Sequence, residues 1–302
     1  MQEDPMPSKI EMRRIVCPTD FSASSSRAFE HALALAAWYR AAVTVLHVVP
    51  EPLAAAAALS YPYGSAVLEG SLGEAAEADL ASLVGPAQRA GLNAAAEVRD
   101  GQPAAEIVRM GQELRADLIV MGTHGRAGFQ RFLLGSVAET VLRRATCPVL
   151  TVPPGARGKA DPLFFKSILC ATDFSPSSEA AVHYATALAA EADASLYVAH
   201  VLDRPGAEDP RGRAVDFGTA ALAQLRRAVP PEAREWFRVR EVVSRGPAAE
   251  QIVSLAARYD VGLVVMGVHG RGMLDLMAFG SVTHHVVRDA SCPVLTVRPP
   301  AR

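Results

Sequence analysis

Two stretches of the chain could hold a phosphate. Gly122-Thr-His-Gly125-Arg-Ala-Gly-Phe-Gln-Arg-Phe-Leu-Leu-Gly135-Ser136 and Gly267-Val-His-Gly270-Arg-Gly-Met-Leu-Asp-Leu-Met-Ala-Phe-Gly280-Ser281 share the pattern G-x2-G-x9-G-S. Each follows an apolar run ending in Met-Gly, Leu118–Met121 and Leu263–Met266. A glycine-rich loop that leaves a strand and enters a helix can turn backbone N–H groups toward an anion. Gly122 and Gly125 are expected where the backbone turns sharply out of the strand. Ser136 opens the last helix, where its hydroxyl either meets phosphate oxygens or caps the helix.

Other polar residues recur with the loops. Asp20 and Asp173 each follow a strand and precede a helix, so each carboxylate either accepts from a ribose or base or stabilises a local turn. His124 and His269 lie inside the loops, to meet phosphate or to make a loop hydrogen bond. His47 and His200 end the second strand and line the pocket wall. The first loop carries Arg126 and Arg131; the second carries Arg271 and Asp275.

Several chemistries are excluded by pattern. No G-x4-G-K-[ST], G-x-S-x-G, H-E-x-x-H or paired Cys-x2-Cys occurs, and no G-x-G-x-x-G follows the first strand. No catalytic or metal-ligating residue is assigned. The four cysteines, Cys17, Cys147, Cys170 and Cys292, read as buried structural thiols, because each pair sits at opposite ends of a parallel sheet. His284 and His285 are adjacent, point apart on a helix, and read as structural.

The repeat extends to whole domains. Ile15-Val-Cys-Pro-Thr-Asp-Phe-Ser22 returns as Ile168-Leu-Cys-Ala-Thr-Asp-Phe-Ser175, and Cys147-Pro-Val-Leu-Thr-Val152 returns unchanged as Cys292 to Val297. In 302 residues this gives domains over 10–153 and 163–298, joined by a Pro- and Gly-rich linker over 154–162.

The elements that must position these residues alternate strand and helix. In the first copy strands are expected at 14–18, 43–49, 94–98, 118–121 and 149–152. Its helices are expected at 22–41, 71–90, 103–114 and 136–144, with Ser22 as N-cap and Gly85-Pro86 a kink or early stop. The insertion 53–70 reads as a loop or short helix and a candidate lid. In the second copy strands are expected at 168–171, 195–201, 239–243, 263–266 and 294–297, with helices at 175–190, 215–228, 247–258 and 281–288. Such alternation implies βαβ units, a mostly parallel sheet and a ligand beyond the carboxyl ends of the strands.

A net charge of −2 gives no bulk attraction to nucleic acid or an anionic membrane. The charged start, Met1 to Arg14, lacks an apolar signal core, and no apolar run approaches the roughly 20 residues that span a bilayer, so a cytoplasmic protein is expected.

The glycine loop after a Met-Gly strand, the Thr-Asp-Phe-Ser first turn and the closing Cys-Pro-Val-Leu strand together resemble the universal stress protein family, over both halves. The resemblance implies two Rossmann-like α/β domains of the adenine nucleotide α hydrolase type. Each would be a five-stranded parallel sheet in the order 3-2-1-4-5 flanked by helices. It places the chain in the ATP-binding branch, with ATP as ligand, with or without Mg2+. Carried over by motif, the first site comprises Pro18, Thr19, Asp20, Val48, Met121, Gly122, His124, Gly125, Arg126, Gly135, Ser136 and Val137. The second comprises Ala171, Thr172, Asp173, Val201, Met266, Gly267, His269, Gly270, Arg271, Gly280, Ser281 and Val282.

Two departures, Gly262 in place of Asp117 and Ala171 in place of Pro18, fall in the second copy. The resemblance also implies pairing of the fifth strands within the chain and a homodimer. It implies a nucleotide-dependent regulator or sensor in stress response; a slow ATP hydrolase and a nucleotide-free interaction scaffold are the alternatives. Because Asp275 adds an acid beside a polyphosphate, the first loop is expected to bind more tightly. Isothermal titration with ATP checks this: substitution of Gly125 should weaken binding more than substitution of Gly270, and the reverse order overturns the expectation.

Overall fold

The computed structural model describes residues 10–50, 65–125, 134–156, 166–202, 217–270 and 279–299, with 65–72 as backbone alone. The chain divides into two compact units. One holds Glu11–Pro154; the other holds the described residues from 166 onward together with Ile10, Gly155 and Ala156.

The first unit alternates β1 (Arg14–Pro18), α1 (Ala23–Tyr39), β2 (Ala42–Val49), α2 (Ser65–Arg89), β3 (Ala94–Asp100), α3 (Pro103–Glu113), β4 (Leu118–Gly122), α4 (Ser136–Arg144) and β5 (Val149–Val152). Its strands are parallel, in the order β3-β2-β1-β4-β5. The second unit repeats the series as β6 (Ser167–Ala171), α5 (Pro176–Ala192), β7 (Ser195–Leu202), α6 (Phe217–Ala228), α7 (Ala233–Trp236), β8 (Val239–Arg245), α8 (Ala248–Arg258), β9 (Leu263–Gly267), α9 (Ser281–Asp289) and β10 (Val294–Val297). Its order is β8-β7-β6-β9-β10, also parallel. The α/β class and the strand order expected from the sequence are therefore both present.

The central strands are apolar because helices cover both faces. Ile15, Val16, Cys17, Leu118, Ile119 and Val120 are all at most 1% exposed, as are Ile168, Leu169, Cys170, Leu263, Val264 and Val265. All four cysteines are free thiols; Cys17, Cys170 and Cys292 are buried and Cys147 is half-buried, and burial pushes Cys17 up to about 12 and Cys147 and Cys292 up to about 11. Both first helices begin at a serine N-cap, as read from the sequence: Ser22 Oγ accepts from the Ser25 N–H, and Ser175 Oγ from the Ser178 N–H.

The helix α7 was not expected, and α2 and β3 depart from their expected bounds. α2 begins at Ser65, before the capping-box serine at 71, so 65–70 of the candidate lid are helical; 53–64 lie outside the described residues. Pro86 neither stops nor shortens α2. Ala76, Leu80, Val84 and Ala87 bury one face of that helix, and this packing offsets the hydrogen bond that proline forfeits. β3 runs on to Asp100 although Arg99 and Asp100 break its apolar pattern. Arg99 is held on the strand by Glu97 at 2.6 Å and by Glu113 of α3 at 2.7 Å.

Asp117 has a structural duty. At the amino end of the sheet its Oδ2 accepts from the backbone N–H groups of Arg13 and Arg14, both at 2.8 Å. The Gly262 substitution in the second copy therefore lies at the edge of the sheet opposite the glycine loops, and it bears on sheet anchoring rather than on the site. Asp117→Ala should destabilise the first unit by about 1–2 kcal/mol, read by urea unfolding. An unchanged midpoint would show that water replaces the carboxylate at no cost.

Candidate functional site

The site is built first from the turn after β1. Thr19 Oγ1 accepts from the Phe21 N–H at 3.0 Å and donates to Ser25 Oγ at 3.1 Å. Asp20 Oδ1 accepts from the Ser22 N–H at 3.0 Å. Phe21 is left-handed at φ 60°, a conformation disfavoured for a side chain of this bulk. Its ring lies 4.7 Å from the His47 imidazole, whose Nδ1 donates to the Thr19 carbonyl at 2.8 Å. The second unit repeats every part. Phe174 is at φ 62°, 4.6 Å from His200, and His200 Nδ1 donates to the Thr172 carbonyl at 2.8 Å. Ser175 N–H and Oγ–H both donate to Asp173 Oδ1.

The glycines answer to close approach more than to turning. Gly122 still belongs to β4 and Gly267 to β9. A Cβ on Gly122 would meet Ser24 Oγ at 2.4 Å and the Ser24 carbonyl carbon at 3.0 Å; one on Gly267 would meet the Ser177 carbonyl carbon at 2.8 Å. The first turns of α1 and α5 leave no room for a side chain there, so the expected sharp turn at Gly122 gives way to packing. A Cβ on Gly125 would lie 3.0 Å from Asp20 Oδ2, and one on Gly270 would lie 2.8 Å from Asp173 Oδ2. Each aspartate thus serves the turn with Oδ1 and backs onto the glycine loop with Oδ2.

The loop closes where Gly135 N–H donates to the Thr123 carbonyl at 2.9 Å, as Gly280 N–H does to the Val268 carbonyl at 3.1 Å. Gly135 and Gly280 are the N-caps of α4 and α9, and neither helix has a side-chain cap. Ser136 and Ser281 stand at the first helical position, so their hydroxyls do not cap. The opening amides of such a helix lack intrahelical acceptors. Arg126, Arg131, Arg271 and Asp275 lie outside the described residues.

The loop histidines are held differently. His124 Nδ1 pairs with Thr123 Oγ1 at 2.8 Å, and its buried Nε2 has no partner among the described residues. His269 Nε2 accepts from Arg298 Nη1 at 3.2 Å. His284 and His285 are edge-on at 5.6 Å, with His285 Nδ1 donating back to the Ser281 carbonyl at 2.8 Å.

In the first unit these parts surround a cavity of about 960 Å3 at the carboxyl ends of β1 and β4, where the strand order reverses. Every described residue of the expected first site lines it: Pro18, Thr19, Asp20, Val48, Met121, Gly122, His124, Gly125, Gly135, Ser136 and Val137. His47 also lines it. Ala75, Ala76 and Asp79 of α2, Pro103 and Ile107 of α3, and Phe21 were missed. Those helical residues sit far from the motifs in sequence, and only the tertiary fold brings them to the wall. In the second unit Ala171 ends β6, Val201 lies in β7, Met266 and Gly267 end β9, and Ser281 and Val282 open α9. The glycine approach joins Asp173 to Gly270 as Asp20 joins Gly125. Among the described residues no group of three or more His, Cys, Asp or Glu side chains could hold a metal ion, and no helix is long and apolar enough to cross a membrane.

Comparison with known proteins agrees with this architecture. The model of the universal stress protein family matches residues 11–153 and 164–298. The chain belongs to the universal stress protein family. It is 30% identical over 295 residues to a universal stress protein of Mycolicibacterium smegmatis, covering 94% of this chain and 97% of that one. A universal stress protein of Methanocaldococcus jannaschii is 38% identical over 147 residues, covering 46% of this chain and 81% of the relative. The crystal structure of a universal stress protein from Archaeoglobus fulgidus superposes with a TM-score of 0.71 at 23% identity, covering 95% of this chain and 98% of that one. That last likeness speaks for the fold of this tandem family member.

Burial holds His124 below the ordinary histidine value. The unfolded chain titrates this residue near about 6.5, so just below that pH it binds more protons than the folded chain. Stability contributed by neutral His124 is therefore present above about 6.5 and lost as the pH falls through the depressed folded value. Thermal unfolding between pH 7.5 and 5.5 should show a smaller acid-side loss for His124→Gln than for the parent, and identical slopes would remove His124 from the effect.

Proposed function

We propose that this universal stress protein binds an adenine nucleotide, ATP, at the glycine loop of the first unit and acts as a nucleotide-dependent regulator or sensor. The observation that carries the reading is the cavity at the switch point, which joins the Asp20 carboxylate, the ends of the glycine loop and the N-terminus of α4 in one space. Its size lies within the roughly 300–1,000 Å3 usual for ligand pockets. Its chemistry is graded in a way that suits a nucleotide. Leu46, Val48, Met121 and Ile107 offer apolar surface to a base, and Asp20, an acceptor only, suits the hydroxyls of a ribose. The uncapped amides at Ser136 and Val137 suit phosphate oxygens. Magnesium would arrive with the phosphates, as it commonly does when one or two carboxylates complete its shell.

The equivalent geometry around Asp173, Gly270 and Gly280 supports a second nucleotide site in the second unit. The role in stress response is inferred from membership of the universal stress protein family.

Denaturing the purified protein and chromatographing the supernatant should release adenine nucleotide, and titration of the emptied protein with ATP should show saturable binding. Asp20→Asn keeps an oxygen for the Ser22 N–H while removing the charge. It should weaken ATP binding by about 10-fold or more, the scale of one charge-assisted hydrogen bond. A parent protein that neither releases nor binds nucleotide would leave the scaffold reading in its place.

A further inference from the structure

The two glycine loops hold their histidines from opposite sides, and two positions change together to do it. In the first unit the residue after Gly122 is Thr123, which pairs with His124 Nδ1 at 2.8 Å; the residue after β5 is Pro153, which has nothing to donate. In the second unit the residue after Gly267 is Val268, which has no hydroxyl, and the residue after β10 is Arg298, whose Nη1 lies 3.2 Å from His269 Nε2. The strand registers make the positions equivalent, since Gly122 pairs with Val152 and Gly267 with Val297.

A guanidinium has donors and no acceptor. The contact therefore requires a lone pair on His269 Nε2 and places that ring's proton on Nδ1. Arg298 is half-buried, and burial holds its guanidinium below the ordinary arginine value, so the contact is made in a partly desolvated setting. In the first loop the anchored nitrogen is Nδ1, and Nε2 is buried without a partner among the described residues.

We propose that Arg298 is the positioning residue of the second loop: it fixes the tautomer of His269 through Nε2, where the first loop anchors His124 through Nδ1. The anchoring does not rest on the nucleotide reading above. Arg298 acts through His269 and brings a positive charge to the position that Pro153 holds in the first unit.

The test is a long-range 1H–15N correlation spectrum of the full-length 15N-labelled chain, which reports the protonation of each ring nitrogen. Without nucleotide, His269 should show an unprotonated Nε2 and a proton on Nδ1. Arg298→Ala should move the proton to Nε2 wholly or in part, Arg298→Lys should retain the parent pattern, and neither should shift His124. A His269 pattern untouched by Arg298→Ala, or equal movement of both histidines, overturns the positioning role.

Discussion

The arrangement depends on how closely the first turn of α1 passes the end of β4. Ser24 comes so near Gly122 that the smallest side chain would collide with its hydroxyl and its backbone, and at Gly267 it would collide with the backbone and Cβ of Ser177. That approach fixes the end of the central strand pair against the helix that carries the Thr-Asp-Phe-Ser turn. With the turn fixed, the Asp20 carboxylate reaches the loop side, where Gly125 alone leaves it room. The loop must then return to the sheet, and it does so through the bond from Gly135 to the Thr123 carbonyl. The N-terminus of α4 faces the cavity because each of these steps has been taken.

The turn carries a conformational cost. A left-handed residue other than glycine is disfavoured by roughly 1–2 kcal/mol, and here the residue is a phenylalanine. Three contacts hold it: the Phe21 N–H on Thr19 Oγ1, the ring against His47, and the His47 hydrogen bond to the Thr19 carbonyl. The same set occurs around Phe174 and His200, with nearly the same distances. His47 and His200 are therefore braces for the turn as much as parts of a wall. Strain kept in both copies belongs to the turn that presents the aspartate.

The sequence revealed most of the frame because the strongest signals were local and duplicated. Apolar runs, serine N-caps and glycine loops repeated in the same order, and the parallel strand order emerged as expected. What it hid was set by contacts distant along the chain. Ala75, Ala76 and Asp79 of α2 and Ile107 of α3 carry no mark of their role, since small and aliphatic residues on a helix read as ordinary core. Pro86 looked like a helix stop, yet packing of Leu80 and Val84 outweighed its local cost. Asp117 stood out only as a position where the second copy departs, and its carboxylate secures the amino end of the sheet, opposite the glycine loops. The left-handed Phe21 had no local signature, because phenylalanine is not a residue that advertises such a turn.

The paired exchange of Thr123 and Pro153 for Val268 and Arg298 carries a consequence for recombination between the halves. The anchor of His269 lies outside its own loop, just past a later strand, whereas that of His124 lies within its loop, one residue ahead of the ring. A crossover that moved only the second glycine loop into the first unit would bring in Val268 and His269 without Arg298, leaving the ring beside a proline and a methyl group. The reverse transfer would give one ring both anchors, Thr123 at Nδ1 and Arg298 at Nε2. With that pair different, the loops are not interchangeable parts of the two halves.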